Sequence, residues 1–233
     1  VALVSAAVCP HPPLLVPEMA GAAAGELDGL RDACDEAVRR LDGDVLVVVG
    51  GDERTWRPDA DAAADFRPYG LDLTLGSGRD RLPLSLAIGC WLLRRAEHTP
   101  PVQYQAVAFD ASPRECLALG ERLAGAAERV ALLVMGDGAA CRDVKAPGYL
   151  DERAEPFDEA VARALGAPHG GGRPDVAALA ALDPSLAAEL RAAGRAAWQV
   201  LAGAAGTAPF TAELLAHEAP YGVGYLVASW TRS

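Results

Sequence analysis

Residues 44–50 read DVLVVVG, an apolar, β-branched run closed by the pair Gly50–Gly51. It is too short for a helix and carries no alternation, so it predicts a strand buried on both faces. Just upstream, residues 20–41 place Leu27, Leu30, Cys34, Val38 and Leu41 at i, i+3, i+4 spacing, the pattern of an amphipathic helix. Working outward, the alternation repeats. ALVSAAV (2–8), VQYQAVAF (102–109) and RVALLVMG (129–136) predict further strands. Residues 82–98 predict a helix with Pro83 in its first turn, and residues 112–128 a helix with Ser112 as N-cap and Pro113 at N1. Residues 52–81 are rich in Asp, Arg, Pro and Gly and read as an irregular excursion with one edge strand at LDLTL (71–75). Beyond residue 138 come a loop (139–156), a helix (157–167), a joint at HGGGRP (169–174) and two helices in 175–206 broken before Pro184. One or two strands follow in 208–230. The expected fold is α/β: one domain over residues 1–233, with a mostly parallel or mixed central sheet and helices on both faces.

Composition narrows the function. The 233 residues are 51% hydrophobic, enough for a sizeable core without disulfides or metals. The net charge of −11 argues against a nucleic-acid surface, which needs clustered Lys and Arg. Five cysteines, at 9, 34, 90, 116 and 141, form no C-x-x-C pair, so neither a disulfide framework nor a zinc knuckle is expected. The opening VALVSAAV is too short to span a bilayer and lacks a basic flank. A cytoplasmic protein without membrane association is the expectation.

In open α/β sheets ligands gather beyond the carboxyl ends of the strands. The first strand delivers Cys9 and His11, the latter held between Pro10 and Pro12 as if presented at the mouth of a crevice. DVLVVVG delivers Asp52, Glu53 and Arg54, VQYQAVAF delivers Asp110, and RVALLVMG delivers Asp137, with Cys141 and Arg142 shortly after. Their convergence would make a polar site, although Asp and Gly also suit plain turns. Other signals have simpler readings. GSGRD (76–80) is a loop, HGGG (169–172) a hinge without a G-x-S-x-G partner, and His98 a cation at a helix C-terminus. His217 and Tyr221, in the closing turn, are candidates for the cleft wall.

Six motifs in order carry a family resemblance: HPPLLVPE (11–18), VVVGGDER (47–54), MGDGAACR (135–142), FDEAVARAL (157–165), WQVLAGA (198–204) and APYGVGY (219–225). The chain resembles the class III extradiol ring-cleavage dioxygenases, more narrowly the subunit-B-like proteins related to protocatechuate 4,5-dioxygenase beta chains and to Memo. The resemblance implies a non-haem Fe(II) site, held by two histidines and a carboxylate, that opens catechols with O2, and a further histidine as acid and base. Carried over, His11 matches the first iron ligand. Where the second histidine belongs the chain reads GGDERTW, with Asp52 or Glu53 nearest. Where the acid–base histidine belongs it reads GDGAACR, with Cys141. Where the carboxylate belongs it reads RAAGRAAWQ, with no acid and only Arg195.

One of four functional side chains thus remains. The expectation is a dioxygenase-like protein with a degenerate iron site and a surviving small-molecule cleft. Asp137, Cys141 and Arg142 stand in catalytic positions, and His11, Asp52 and Glu53 could hold metal. Fe(II) is what the family implies, but an oxygen-rich set suits Mg, Ca or Mn better. Two alternatives stand beside it: a working metal-dependent oxygenase or hydrolase with rearranged ligands, and a non-enzymatic interaction protein. A homo-oligomer is the expected assembly.

Overall fold

The computed structural model describes residues 2–98, 101–168 and 171–233. The chain opens with β1 (Ala2–Cys9), passes one helical turn, α1 (Pro17–Ala20), into α2 (Asp28–Arg39), and returns as β2 (Val45–Asp52). The short β3 (Ala64–Asp65) and β4 (Thr74–Leu75) precede α3 (Leu84–Arg95), β5 (Val102–Ala108), α4 (Pro113–Ala124) and β6 (Arg129–Met135). Then come α5 (Ala154–Leu165), β7 (Ala167–Pro168), α6 (Val176–Ala180), α7 (Pro184–Glu189), α8 (Arg195–Ala205), β8 (Phe210–Glu218) and β9 (Tyr225–Arg232).

Seven strands form one sheet in the order β5-β2-β6-β1-β9-β8-β7. β5, β2, β6 and β1 run parallel, and β9 lies antiparallel between β1 and β8. The sheet is mixed and mostly parallel, with an apolar core on each face. α2 and α3 pack through Leu30, Cys34, Val38, Leu86, Ile88 and Leu92 against one face. α4, α5 and α8 pack on the other around Trp198 and Trp230. The DVLVVVG run lacks alternation because Val47 and Val49 enter one core while Leu46 and Val48 enter the other.

α4 opens on a capping box: Ser112 Oγ accepts from the Glu115 amide, and the Glu115 carboxylate accepts from the Ser112 amide at 2.9 Å. Its far face meets α8 at two glycines. A Cβ on Gly120 would overlap the Val200 carbonyl, and one on Gly203 the Leu117 carbonyl. The two backbones approach only because both positions lack side chains.

Three expectations shift. The 20–41 helix is regular only from Asp28, because Gly21 sits at φ 54° and residues 21–27 tighten into a 3-10 turn. Its five apolar positions are nonetheless all buried. LDLTL is no edge strand of the main sheet. Only Thr74–Leu75 is extended, paired with Ala64–Asp65 in a separate ribbon, and left-handed Gly76 ends it. The main edge is covered instead by Trp56, which bridges Ala106 of β5. Residues 175–206 give three helices, because Arg191 adopts φ 53° before α8 begins. His169 and Gly170 of the predicted hinge lie outside the described residues. No described helix is long and apolar enough to cross a membrane.

Candidate functional site

The four parallel strands end along one edge of the sheet. Because β9 is antiparallel, it begins there, and β8 ends there with Glu218 opposite Tyr225. That edge therefore receives His11, Asp137, Asp52 and Asp110, as the sequence predicts, and also Tyr225 and Glu218 from the C-terminal hairpin.

His11 sits two residues past β1 in an extended, proline-held segment, with Pro12 at ψ 142° and Pro13 opening a short 3-10 turn. Its main-chain N–H donates to Asp137 Oδ1 at 2.7 Å, tying the ends of β1 and β6 together. The imidazole is turned inward, 7% exposed, rather than presented at the surface. Its Nδ1 lies 3.7 Å from Asp137 Oδ1, too far for a hydrogen bond, and is buried without a partner. The Tyr225 side chain is buried at the same edge. Burial pushes its phenol well above the usual range, and the nearby Asp137, Tyr221 and Glu218 add to the effect. The Tyr221 hydroxyl donates to Glu26 at 2.9 Å. An imidazole beside a carboxylate can bind a ligand hydroxyl and pass a proton.

The other predicted residues go elsewhere. Asp52 accepts from Trp56 Nε1 at 2.7 Å, and Glu53 is exposed. His217 is exposed on β8, paired with Leu226. Cys141 is 2% exposed and its Sγ donates to the Gly148 and Leu190 carbonyls; burial pushes the thiol up. A thiol held this way is a poor nucleophile at neutral pH. Arg142 donates to Asp158 Oδ2 and Glu155 Oε1, each at 3.0 Å. Asp158 is fully buried and also accepts from the Ala139 amide at 2.8 Å. Desolvation raises its carboxyl above the usual range, opposed by the Ala139 N–H and Arg142.

A first-row metal needs its donors within about 4 Å of one another. His11 and Asp52 belong to strands separated by β6, so two ladder spacings, about 10 Å, lie between their backbones. Among the described residues no group of three or more His, Cys, Asp or Glu side chains could hold a metal ion. The donor set does not fit the two-histidine, one-carboxylate iron centre.

Two partners in this region escaped the sequence reading. Tyr225 was hidden inside APYGVGY until strand order placed the start of β9 beside β1, at the edge where His11 lies. Asp158 had a signal: Ala154, Phe157, Val161, Ala162 and Leu165 define a helix stripe that includes it, so periodicity marks a carboxylate on an apolar face.

The class defined by this architecture is an α/β protein whose seven-stranded mixed sheet gathers polar side chains at one strand-end edge. No protein-family model matches the chain, and no curated protein matches it. Among solved structures it is similar to the uncharacterized protein JW3007 from Escherichia coli K12. The identity is 14% and the TM-score 0.56, over 98% of this chain and 99% of that one. The likeness is one of fold.

Proposed function

We propose that this chain is an extradiol-dioxygenase-like protein that has lost its iron centre and binds a small polar molecule in the cleft formed by His11, Asp137 and Tyr225. The observation that carries the reading is the buried, unpartnered Nδ1 of His11 beside a carboxylate. A buried polar atom without a partner costs about 1–3 kcal/mol, and a ligand hydroxyl would supply the missing hydrogen bond. The six motifs in order support the kinship. That no group of three or more His, Cys, Asp or Glu side chains among the described residues could hold a metal ion supports the loss of ring-opening chemistry.

Catechol serves as the probe. Purified aerobically and anaerobically, the untreated protein should contain far less than one iron per chain and should leave catechol uncleaved. Adding catechol should shift the ring 15N resonances of His11 in histidine-labelled protein, a shift absent in His11→Ala. Stoichiometric iron together with catechol turnover would reject the proposal, and so would His11 resonances indifferent to catechol and to other small phenols.

A further inference from the structure

A second concavity lies away from His11, beyond the end of edge strand β5. It measures about 500 Å³ and is walled by Phe109 and Asp110 after β5, by Pro184 and Ala188 of α7, and by Arg191 and Arg195 at the entrance to α8. That volume suits a small organic molecule. Its apolar part has a defined cause. Phe109 stays 42% exposed while its ring lies on Gly51, where any Cβ would strike it.

The charges around it are unbalanced. Arg195 is 2% exposed, yet its guanidinium meets only neutral acceptors: the Phe109 carbonyl, the Ala111 carbonyl at 2.5 Å, Gln199 Oε1 at 3.0 Å and Cys116 Sγ at 3.9 Å. Among the described residues it pairs with no carboxylate. Arginine keeps its charge in proteins, and a buried charge is costly unless paired. Arg191, in the same wall, gives one N–H to the Pro147 carbonyl at 3.0 Å and also pairs with no described carboxylate. Asp110, exposed at the rim, is the single acid among the lining residues. Two guanidinium groups against one carboxylate leave room for one negative charge, and a second would be repelled by Asp110.

We propose that this concavity is a binding site for a small monocarboxylate with an apolar body. The body lies on Phe109 and the alanine wall, and the carboxylate faces Arg191 and Arg195. The site is independent of the cleft at His11, from which β2 and β6 separate it.

Calorimetric titration of the full chain tests this with four probes: benzoate, its neutral isostere benzamide, the dianion phthalate, and acetate, which lacks the body. Benzoate should bind saturably, with each of the other three weaker by about tenfold or more, the factor that one lost charge-assisted contact or the apolar contact commands. Ala188 is exposed, so Ala188→Phe fills the concavity without entering the core and should weaken benzoate by about tenfold or more. Arg191→Gln, also at the surface, should do the same. The proposal fails if benzoate gives no saturable heat up to about 10 mM. It fails equally if benzamide binds as tightly as benzoate, or if both variants keep the benzoate affinity.

Discussion

Removing Arg142 gives the strongest test of the buried charge pair that it forms with Asp158. The Asp158 carboxylate is fully buried, with the Ala139 amide on one oxygen and Arg142 on the other. Its carboxyl is raised above the usual range by desolvation even with the guanidinium present. A group raised in the folded state contributes stability that is present below its unfolded value, near 3.9, and is lost as pH climbs through the folded value. In Arg142→Met the partner is gone and the folded value climbs further, so the loss extends toward neutral pH. At pH 8 an uncompensated buried carboxylate should cost about 3–5 kcal/mol. As pH falls toward the raised value the group takes up a proton, and the cost shrinks toward that of one unmade hydrogen bond, about 1–3 kcal/mol. The contact of Arg142 with the exposed Glu155 adds little, about 0–1 kcal/mol. Urea unfolding can be followed by fluorescence, since Trp198 and Trp230 are both fully buried. The expected result is a clearly larger loss at pH 8 than at pH 5, abolished in the double variant with Asp158→Asn. Equal losses at both pH values would show that Asp158 is not the titrating group and would refute the reasoning.

Three further outcomes are expected. Gly203→Ala would ordinarily stabilise a helix by roughly 0.5–1 kcal/mol, but here the methyl meets the Leu117 carbonyl and should instead destabilise by about 1–3 kcal/mol in urea. Ser112→Ala removes the Oγ half of the α4 capping box, leaving the main-chain N–H at 112 on the Glu115 carboxylate, and should cost about 0.5–2 kcal/mol by the same measurement. Dialysis against EDTA should leave the thermal midpoint unmoved, because no group of three or more His, Cys, Asp or Glu among the described residues could hold a metal ion. A fall of several degrees would contradict this.

The fold was legible wherever local pattern and burial agree. DVLVVVG announced a two-faced strand because both faces are covered, and Ser112–Pro113 announced the start of α4 because capping is a short-range interaction. The 3-10 turn before α2 was not legible, since alanines and glycines at 20–25 carry little conformational signal. At the site, the strand-end rule selected His11 and Asp137, which do meet. It also selected Asp52 and Glu53, because it names the edge of a sheet without giving the strand order along it. Tyr225 and Glu218 reach the edge through a C-terminal hairpin whose place in the sheet is set by the long-range pairing of β9 with β1, which no local pattern encodes. Cys141 and Arg142 were drawn in by their nearness to Asp137 in sequence. Their partners, Leu190 and Asp158, come from the loop before α8 and from α5.

The orphan nitrogen of His11 leads to a prediction of opposite sign to an ordinary core mutation. Leucine is close to histidine in volume, and at position 11 the main-chain N–H would still bond Asp137, since that contact does not use the ring. The ring itself contributes packing and leaves one buried nitrogen unpaired. His11→Leu should therefore be neutral or stabilising by up to about 1–3 kcal/mol, the relief of one unsatisfied polar atom, while catechol binding disappears. A histidine held only by its packing and an Asp137 hydrogen bond would behave otherwise. Its replacement would cost stability, and a loss beyond about 1 kcal/mol would mean that Nδ1 has a partner within the fold. In that event the cleft would have no unmet hydrogen bond to offer a ligand.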